Sequence, residues 1–341
     1  MFELKDLEVP LIGAPMAGGP TTPELVAAVS NAGGLGMLAA GYFDEKQLAD
    51  AVAQTRALTK ALFGVNLFVP QEPMQDSVLA SLDTYRTELQ HFGDQYGLDM
   101  QSVEITIPEH FDALIGWLEF NPLPVVTFTF GLPSVGVIKR LQAVGTAVGV
   151  TVTSVADALS AQAAGANFLC IQGPDAGGHQ STFGVFEDAN TIALPQLVRD
   201  IQNAVGLPLS AGGGVGSAQD VDALLSLGVH AVQIGSLLLL TDEAGTSQPH
   251  RNALRSGIRE TRITRAFTGR PARAVVNEFV AELDAKAPAV YPHMHYLTAP
   301  LRAKAKDAGT WQHVNAWAGT GFENAQSKPA AEVIAELFPS Y

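Results

Sequence analysis

Two stretches decide the fold: Leu207-Pro208-Leu209-Ser210-Ala211-Gly212-Gly213-Gly214-Val215-Gly216-Ser217 and His230-Ala231-Val232-Gln233-Ile234-Gly235-Ser236. Each is a short apolar run that breaks at glycine. The first opens onto 217–227, where the apolar spacing is helical, Ser217 is a capping residue and Gly228 supplies the stop. This is a strand–helix–strand unit. Working outward, apolar runs recur at 11–15, 35–39, 63–68, 124–130, 146–152 and 167–172. Amphipathic stretches at 23–32, 44–61, 134–144, 154–164 and 194–204 lie between them. The runs are apolar on both faces, as parallel strands covered by helices must be. Eight strands alternating with helices predict a closed (β/α)8 barrel over residues 1–258.

Two connections are long. The first, after 63–68, holds an insertion at about 70–120 with a polar helix over 74–95 and a second helix near 108–119. The second, after 167–172, is the glycine-rich loop 173–190. Barrel chemistry sits at the carboxyl ends of strands, so these loops read as a lid or second layer there. A solvated helical cap without chemistry is the alternative for 70–120. From 259 onward the period breaks. Arg259, Arg262, Arg265, Arg270 and Arg273 come first, then an aromatic and histidine-rich stretch: Tyr291, His293, His295, Tyr296, Trp311, His313 and Trp317. The irregularity argues against a separate domain, so 259–341 reads as an extension packed on the barrel.

Composition removes several classes of function. The 341 residues are 47% hydrophobic and 16% charged, well below the ~25% charge of ordinary chains, so a large dry core is expected. The net charge of −14 disfavours phosphate backbones and anionic membranes, which argues against nucleic-acid binding. No apolar run approaches the ~18 residues of a membrane span, and Met1–Asp6 does not open a secretion signal. The expectation is a cytoplasmic protein. A single cysteine, Cys170, excludes an internal disulfide and a multi-cysteine metal centre.

The glycines after the last two strands carry the strongest chemical signal. Without Cβ atoms, backbone N–H groups approach an anion closely, and a helix start favours negative charge. Barrels commonly bind phosphate between these two loops, so a phosphate site is expected at 212–217 and 233–236. A plain tight turn is the alternative. The second constellation is Gln172-Gly173-Pro174-Asp175-Ala176-Gly177-Gly178-His179-Gln180-Ser181. Gln172 ends a strand, Gly177 and Gly178 permit close contact with a flat ligand, and His179 offers proton exchange near neutral pH. Ile12–Gly19 and Asn66 are weaker candidates.

Other motifs fail on context. Gly34-Leu35-Gly36-Met37-Leu38-Ala39 matches a dinucleotide fingerprint but follows a helix and lies in a strand. His293-Met294-His295 lacks a third ligand, so no metal is expected. No candidate strand contains a lysine for Schiff-base chemistry.

Several runs in order give the chain a wider resemblance. They are 14–42 (APMAGGPTTPELVAAVSNAGGLGMLAAGY), 63–68 (FGVNLF), 127–133 (TFTFGLP), 170–183 (CIQGPDAGGHQSTF), 207–217, 233–245 (QIGSLLLLTDEAG), 264–273 (TRAFTGRPAR) and 316–321 (AWAGTG). Together they resemble the bacterial class I nitronate monooxygenases, also called 2-nitropropane dioxygenases. The resemblance implies an FMN-dependent barrel. It implies that Asn66 and Gln172 hydrogen-bond the flavin ring and that the backbone of Ala14, Pro15 and Met16 lies against it. Gly177, Gly213, Gly214 and the segment Gln233, Ile234, Gly235 and Ser236 would hold the phosphate and its surroundings. His179 matches the family's catalytic histidine. Two departures stand out. Some members have histidine where this chain has Thr129, which bears on substrate preference, and members usually carry threonine at Ser236, where a hydroxyl is retained.

The implied reaction is oxidation of an alkyl nitronate, propionate 3-nitronate in particular, by O2 to a carbonyl compound and nitrite. Detoxification is the implied role. The implied partners are the nitronate and O2, and no oligomeric state is assigned. His179 would remove the α-proton of a nitroalkane when neutral, or attract the anionic nitronate when protonated. A cation at the mouth is also expected from among the Arg and Lys residues of 259–341, with Arg270 the first candidate. The alternatives are an FMN-dependent NAD(P)H reductase of the enoyl-acyl-carrier or quinone type, a non-redox phosphate-binding barrel, and a flavin-binding protein without turnover.

Overall fold

A computed structural model describes residues 1–341. Its strands are β1 (Leu11–Gly13), β2 (Gly36–Ala39), β3 (Phe63–Phe68), β4 (Val125–Thr129), β5 (Ala147–Val152), β6 (Phe168–Gln172), β7 (Gly178–His179), β8 (Leu209–Gly212), β9 (Ala231–Ile234), β10 (Thr261–Thr264) and β11 (Ala272–Val275). Its α-helices are α1 (Pro23–Asn31), α2 (Glu45–Leu58), α3 (Asp76–Leu79), α4 (Ser81–Asp94), α5 (Phe111–Phe120), α6 (Val135–Ala143), α7 (Val155–Ala164), α8 (Leu194–Ala204), α9 (Ala218–Ser226), α10 (Gln248–Leu254), α11 (Glu278–Leu283), α12 (His293–Asp307) and α13 (Ala330–Leu337).

Eight strands form one parallel sheet in the order β1-β9-β8-β6-β5-β4-β3-β2. The sheet closes where Gly13 N–H donates to Leu35 O (2.9 Å) and Leu35 N–H donates to Leu11 O (2.8 Å). The architecture is a (β/α)8 barrel, as the alternating pattern predicted. Thr22, Asp44, Ser134, Ser154 and Ser217 each accept a backbone N–H at a helix start, which is why α1, α2, α6, α7 and α9 begin where they do. Ile12, Met37, Val125, Phe168 and Cys170 fill the barrel's inside, joined by Leu4 from the amino-terminal turn. Outside the sheet, two apolar clusters bind the strands to the helices.

The helical ring departs from the sequence expectation in two places. The stretch 70–120 divides. Its second helix, α5, places Leu114, Ile115 and Leu118 in the same core as Leu48 of α2 and Ile138 of α6, so it is the third unit's ring helix. Only the earlier part leaves the barrel. The barrel also does not end at 258. Helix α13 places Val333, Ile334 and Leu337 in the core with Leu25 and Val29 of α1 and Val221 of α9. The chain thus returns at its end to fill the ring's eighth place. The separation of β9 from α13 in sequence hid this, because no βα period links them.

A second layer stands over the carboxyl ends of the strands. Leu82, Tyr85, Leu89 and Phe92 of α4 share a core with Phe267, Phe279 of α11, and Met294, Leu297 and Leu301 of α12. The Tyr85 hydroxyl donates to Ala266 O at 2.6 Å. A hairpin of β10 and β11 pairs antiparallel with β7. That pairing sets His179 opposite Ala272.

Candidate active site

The barrel mouth and the second layer enclose a cavity of about 430 Å³. His179 and the residues expected to hold the cofactor line it: Ala14, Pro15, Met16, Asn66, Gln172, Gly177, Gly213, Gly214, Gln233, Ile234, Gly235 and Ser236. They come from β1, β3, β6, β8 and β9 and the turns that follow, so parallel strand order brings distant runs to one rim.

One wall is glycine backbone. Gly213 and Gly214 take φ of +125° and +81°. A Cβ on Gly214 would stand 2.8 Å from Cβ of Asp175, so both conformation and space require glycine. The N–H groups of Gly213, Gly214, Val215, Gly235 and Ser236 find no acceptor in the chain. All five residues line the cavity. Unpaired backbone donors beside the start of α9 are suited to an anion such as a phosphate. The Ser236 hydroxyl accepts from Gly319 N–H at 2.8 Å and ties this wall to the returning chain. Ala14 N–H donates to Ile234 O at 2.8 Å, which sets the Ala14–Met16 backbone beside the same turn. The Ile234 side chain itself is buried in the core.

The cavity floor is polar. Asn66 is buried, and its Nδ2 donates to the hydroxyls of Thr127 and Thr129, each at 2.9 Å. Its Oδ1 has no partner in the chain. Thr129 therefore orients Asn66. Gln172 works differently from a free strand-end amide. Its Nε2 donates to His179 O (3.0 Å) and its Oε1 accepts from Ser181 N–H (2.8 Å). Gln172 clamps the 173–181 loop and keeps one N–H for a ligand.

Another part of the lining surrounds His179. The ring lies edge-on to Phe130 at 5.4 Å and tilted against Trp317 at 5.3 Å between centroids. Phe130 itself has φ of +70°, a costly conformation for an aromatic residue and of the kind that collects at functional sites. His179 Nε2 lies 2.9 Å from the Thr268 hydroxyl, which donates onward to Arg270 O. This arrangement suits an Nε2-protonated ring and leaves Nδ1 bare. Burial first, then the Arg270 and Arg302 charges, lower the His179 pKa to about 3. The imidazole is neutral at neutral pH. The protonated role, in which His179 attracts an anion, does not survive this environment.

Of the arginines and lysines of 259–341 expected to supply a cation at the mouth, the first choice, Arg270, is the wrong one. Arg270 is fully buried away from the cavity, donating to Thr182 O (2.6 Å) and Gln71 Oε1 (2.6 Å) and stacking over Phe130 at 4.4 Å. Arg302 of α12 lines the cavity instead, with Lys306 one turn further. Sequence reading included Arg302 only among the cations of 259–341 and did not single it out, nor Tyr42 or Thr268. A signal for Arg302 was present: His295, Ala299, Arg302, Ala303 and Lys306 recur at helical spacing on one face. His295 stacks on Tyr42 at 4.5 Å, and burial followed by the Arg302 charge holds its pKa well below the ordinary imidazole value. No group of three or more His, Cys, Asp or Glu is placed to hold a metal ion, and no helix is long and apolar enough to cross a membrane.

Comparison with known proteins matches this geometry to a family. Residues 2–340 match the family described as nitronate monooxygenase. A probable nitronate monooxygenase of Staphylococcus aureus strain Newman is 34% identical, the alignment covering 99% of this chain and 95% of the relative. The solved structure of a nitroalkane oxidase from Streptomyces ansochromogenes superposes with a TM-score of 0.92 at 38% identity, covering 98% of this chain and 96% of that one. FabK from Thermotoga maritima shares the fold, with a TM-score of 0.72 at 23% identity over 98% of this chain and 93% of its own.

Proposed function

The chain belongs to the nitronate monooxygenase family, and from that premise we propose that it is an FMN-dependent enzyme that oxidises alkyl nitronates, propionate 3-nitronate among them, with O2 to carbonyl compounds and nitrite. The observation that carries this reading is the meeting of two features in one cavity: unpaired N–H donors and a neutral His179.

The residues present fit FMN. The open N–H groups of Gly213, Gly214, Val215, Gly235 and Ser236 would hold its phosphate, where added Cβ atoms would crowd the turn. Asn66 Oδ1 and the spare N–H of Gln172 would meet the polar edge of its ring, beside the Ala14–Met16 backbone. When bound, FMN supplies the electron-transfer chemistry with the nitronate and O2. The chain's own part is positioning and proton transfer. Gln172 holds the loop, β11 holds β7, and Thr268 fixes the imidazole tautomer. His179 Nδ1 then takes the α-proton from a neutral nitroalkane, giving the nitronate in place. Phe130, Tyr291 and Trp317 around the ring keep water from it.

The test is an absorbance spectrum of the purified protein followed by oxygen uptake and nitrite release on adding propionate 3-nitronate. Flavin bands with nitronate-dependent uptake support the reading. A protein without flavin, or a yellow one that ignores nitronates and is bleached by NADH or NADPH without oxygen, overturns it.

A further inference from the structure

The chain carries 34 Asp and Glu against 20 Lys and Arg, yet no carboxylate lines its cavity. Two cations, Arg302 and Lys306, do. Arg302 makes no ion pair with any Asp or Glu. Its Nε donates to the Thr298 hydroxyl (3.1 Å), one terminal nitrogen to His295 O (2.7 Å), and the other to Asn315 Oδ1 (3.4 Å). Every acceptor is neutral, and one terminal nitrogen has only a long bond. Arg302 is half-buried, so its guanidinium loses part of its hydration with no counter-charge to offset it, which is costly unless something compensates it. The fold has spent Thr298, Asn315 and a backbone carbonyl to keep it there. Alanines at 299 and 303 clear the same helix face of bulk.

The position is on the His179 side of the cavity. Arg302 touches His295, His295 stacks on Tyr42, Tyr42 meets Phe68 at 5.2 Å, Phe68 meets Phe130 at 4.5 Å, and Phe130 packs on His179. The glycine wall already offers its own donors for a phosphate, so the guanidinium is left for a different anion.

We propose that Arg302 is the substrate-selecting residue of this cavity: with Asn315 beside it and Lys306 a turn away, it binds the negative group of a small anionic substrate and sets its position relative to His179. The inference rests on the nitronate reading for what that anion is, but not for whether an anion binds. An acidic protein repels anions at long range, and Arg302 supplies the local attraction that reverses this inside the cavity. His179 is thereby freed to stay neutral.

The experiment uses the flavin-loaded protein and two variants, Arg302→Gln and Arg302→Lys, with flavin content confirming that each folds and loads. Calorimetric titration with sodium nitrate, a small planar anion that resembles a nitronate and is not oxidised, reads binding without turnover. Arg302→Gln is expected to weaken nitrate roughly 10- to 100-fold, the loss of hydrogen bonds to a charged group, and Arg302→Lys to recover part of it. In turnover, KM for the nitronate of nitroethane rises by a similar factor in Arg302→Gln and more than KM for neutral nitroethane. Unchanged nitrate binding, or equal rises in both KM values, overturns the proposal. Nitrate binding that depends on Arg302 in a protein inert to every nitronate upholds the anion site and sinks the nitronate reading instead.

Discussion

His179 shows how one residue's chemistry follows from its neighbours. An imidazole in water titrates near pH 6.5. Here burial and two guanidiniums hold the folded pKa at about 3. The base is therefore available across the acidic range. We predict that kcat/KM for a neutral nitroalkane stays level from pH 8 to pH 5, and that a pH–rate profile with a protonation limb near 6.5 would assign the proton transfer elsewhere. Replacing His179 by Asn is expected to cut nitroalkane turnover by about 10²- to 10⁴-fold while sparing nitronate turnover, because only the nitroalkane needs a proton removed. Equal losses on both substrates contradict the base role. His179 and Gln172 were legible as candidates because a histidine and an amide at a strand-end loop are unusual in type. Arg302 was not, since a single arginine among six between 259 and 302 looks like any other until the fold turns it into the cavity.

At the level of elements, the loop between β6 and β7 depends on close backbone approach. A Cβ on Gly177 would stand 2.4 Å from Gly319 N, against backbone that cannot swing aside. Gly177→Ala should therefore push the loop and the 318–319 segment apart, shifting both His179 and the Ser236–Gly319 bond. We predict a loss of about 1–3 kcal/mol in stability and a lower flavin content, measured by urea unfolding and absorbance. Wild-type values for both would show that the contact is slack. Strands and ring helices were readable because period, capping residues and glycine stops are local. The pairing of β7 with β11 was not. Two-residue strands carry no periodic pattern, and their partner lies some ninety residues away.

For the whole molecule, the decisive feature is that the chain closes its ring with its last helix. A chain ending at residue 325 would expose the apolar faces that Val333, Ile334 and Leu337 cover on α1 and α9. We expect such a truncation to lose its cooperative thermal transition, whereas a dispensable extension would leave it intact. Acid is a second global test. His179 and His250 have folded pKa values lowered to about 3 and about 4, mainly by burial. Between those values and about 6.5 the unfolded chain binds more protons than the folded one, so stability falls as pH drops through that window. The midpoint of thermal unfolding should decline from pH 7 to pH 4, and the double variant His179→Asn with His250→Asn should flatten the decline. The amino-acid order alone determined the barrel, its strand ends and the glycine turns, because those depend on propensity and spacing within a few residues. Only tertiary structure decided which helix fills the eighth place, which arginine enters the cavity and which charge state His179 holds. Those outcomes depend on burial and on charges brought together from distant parts of the chain, and no local pattern encodes them.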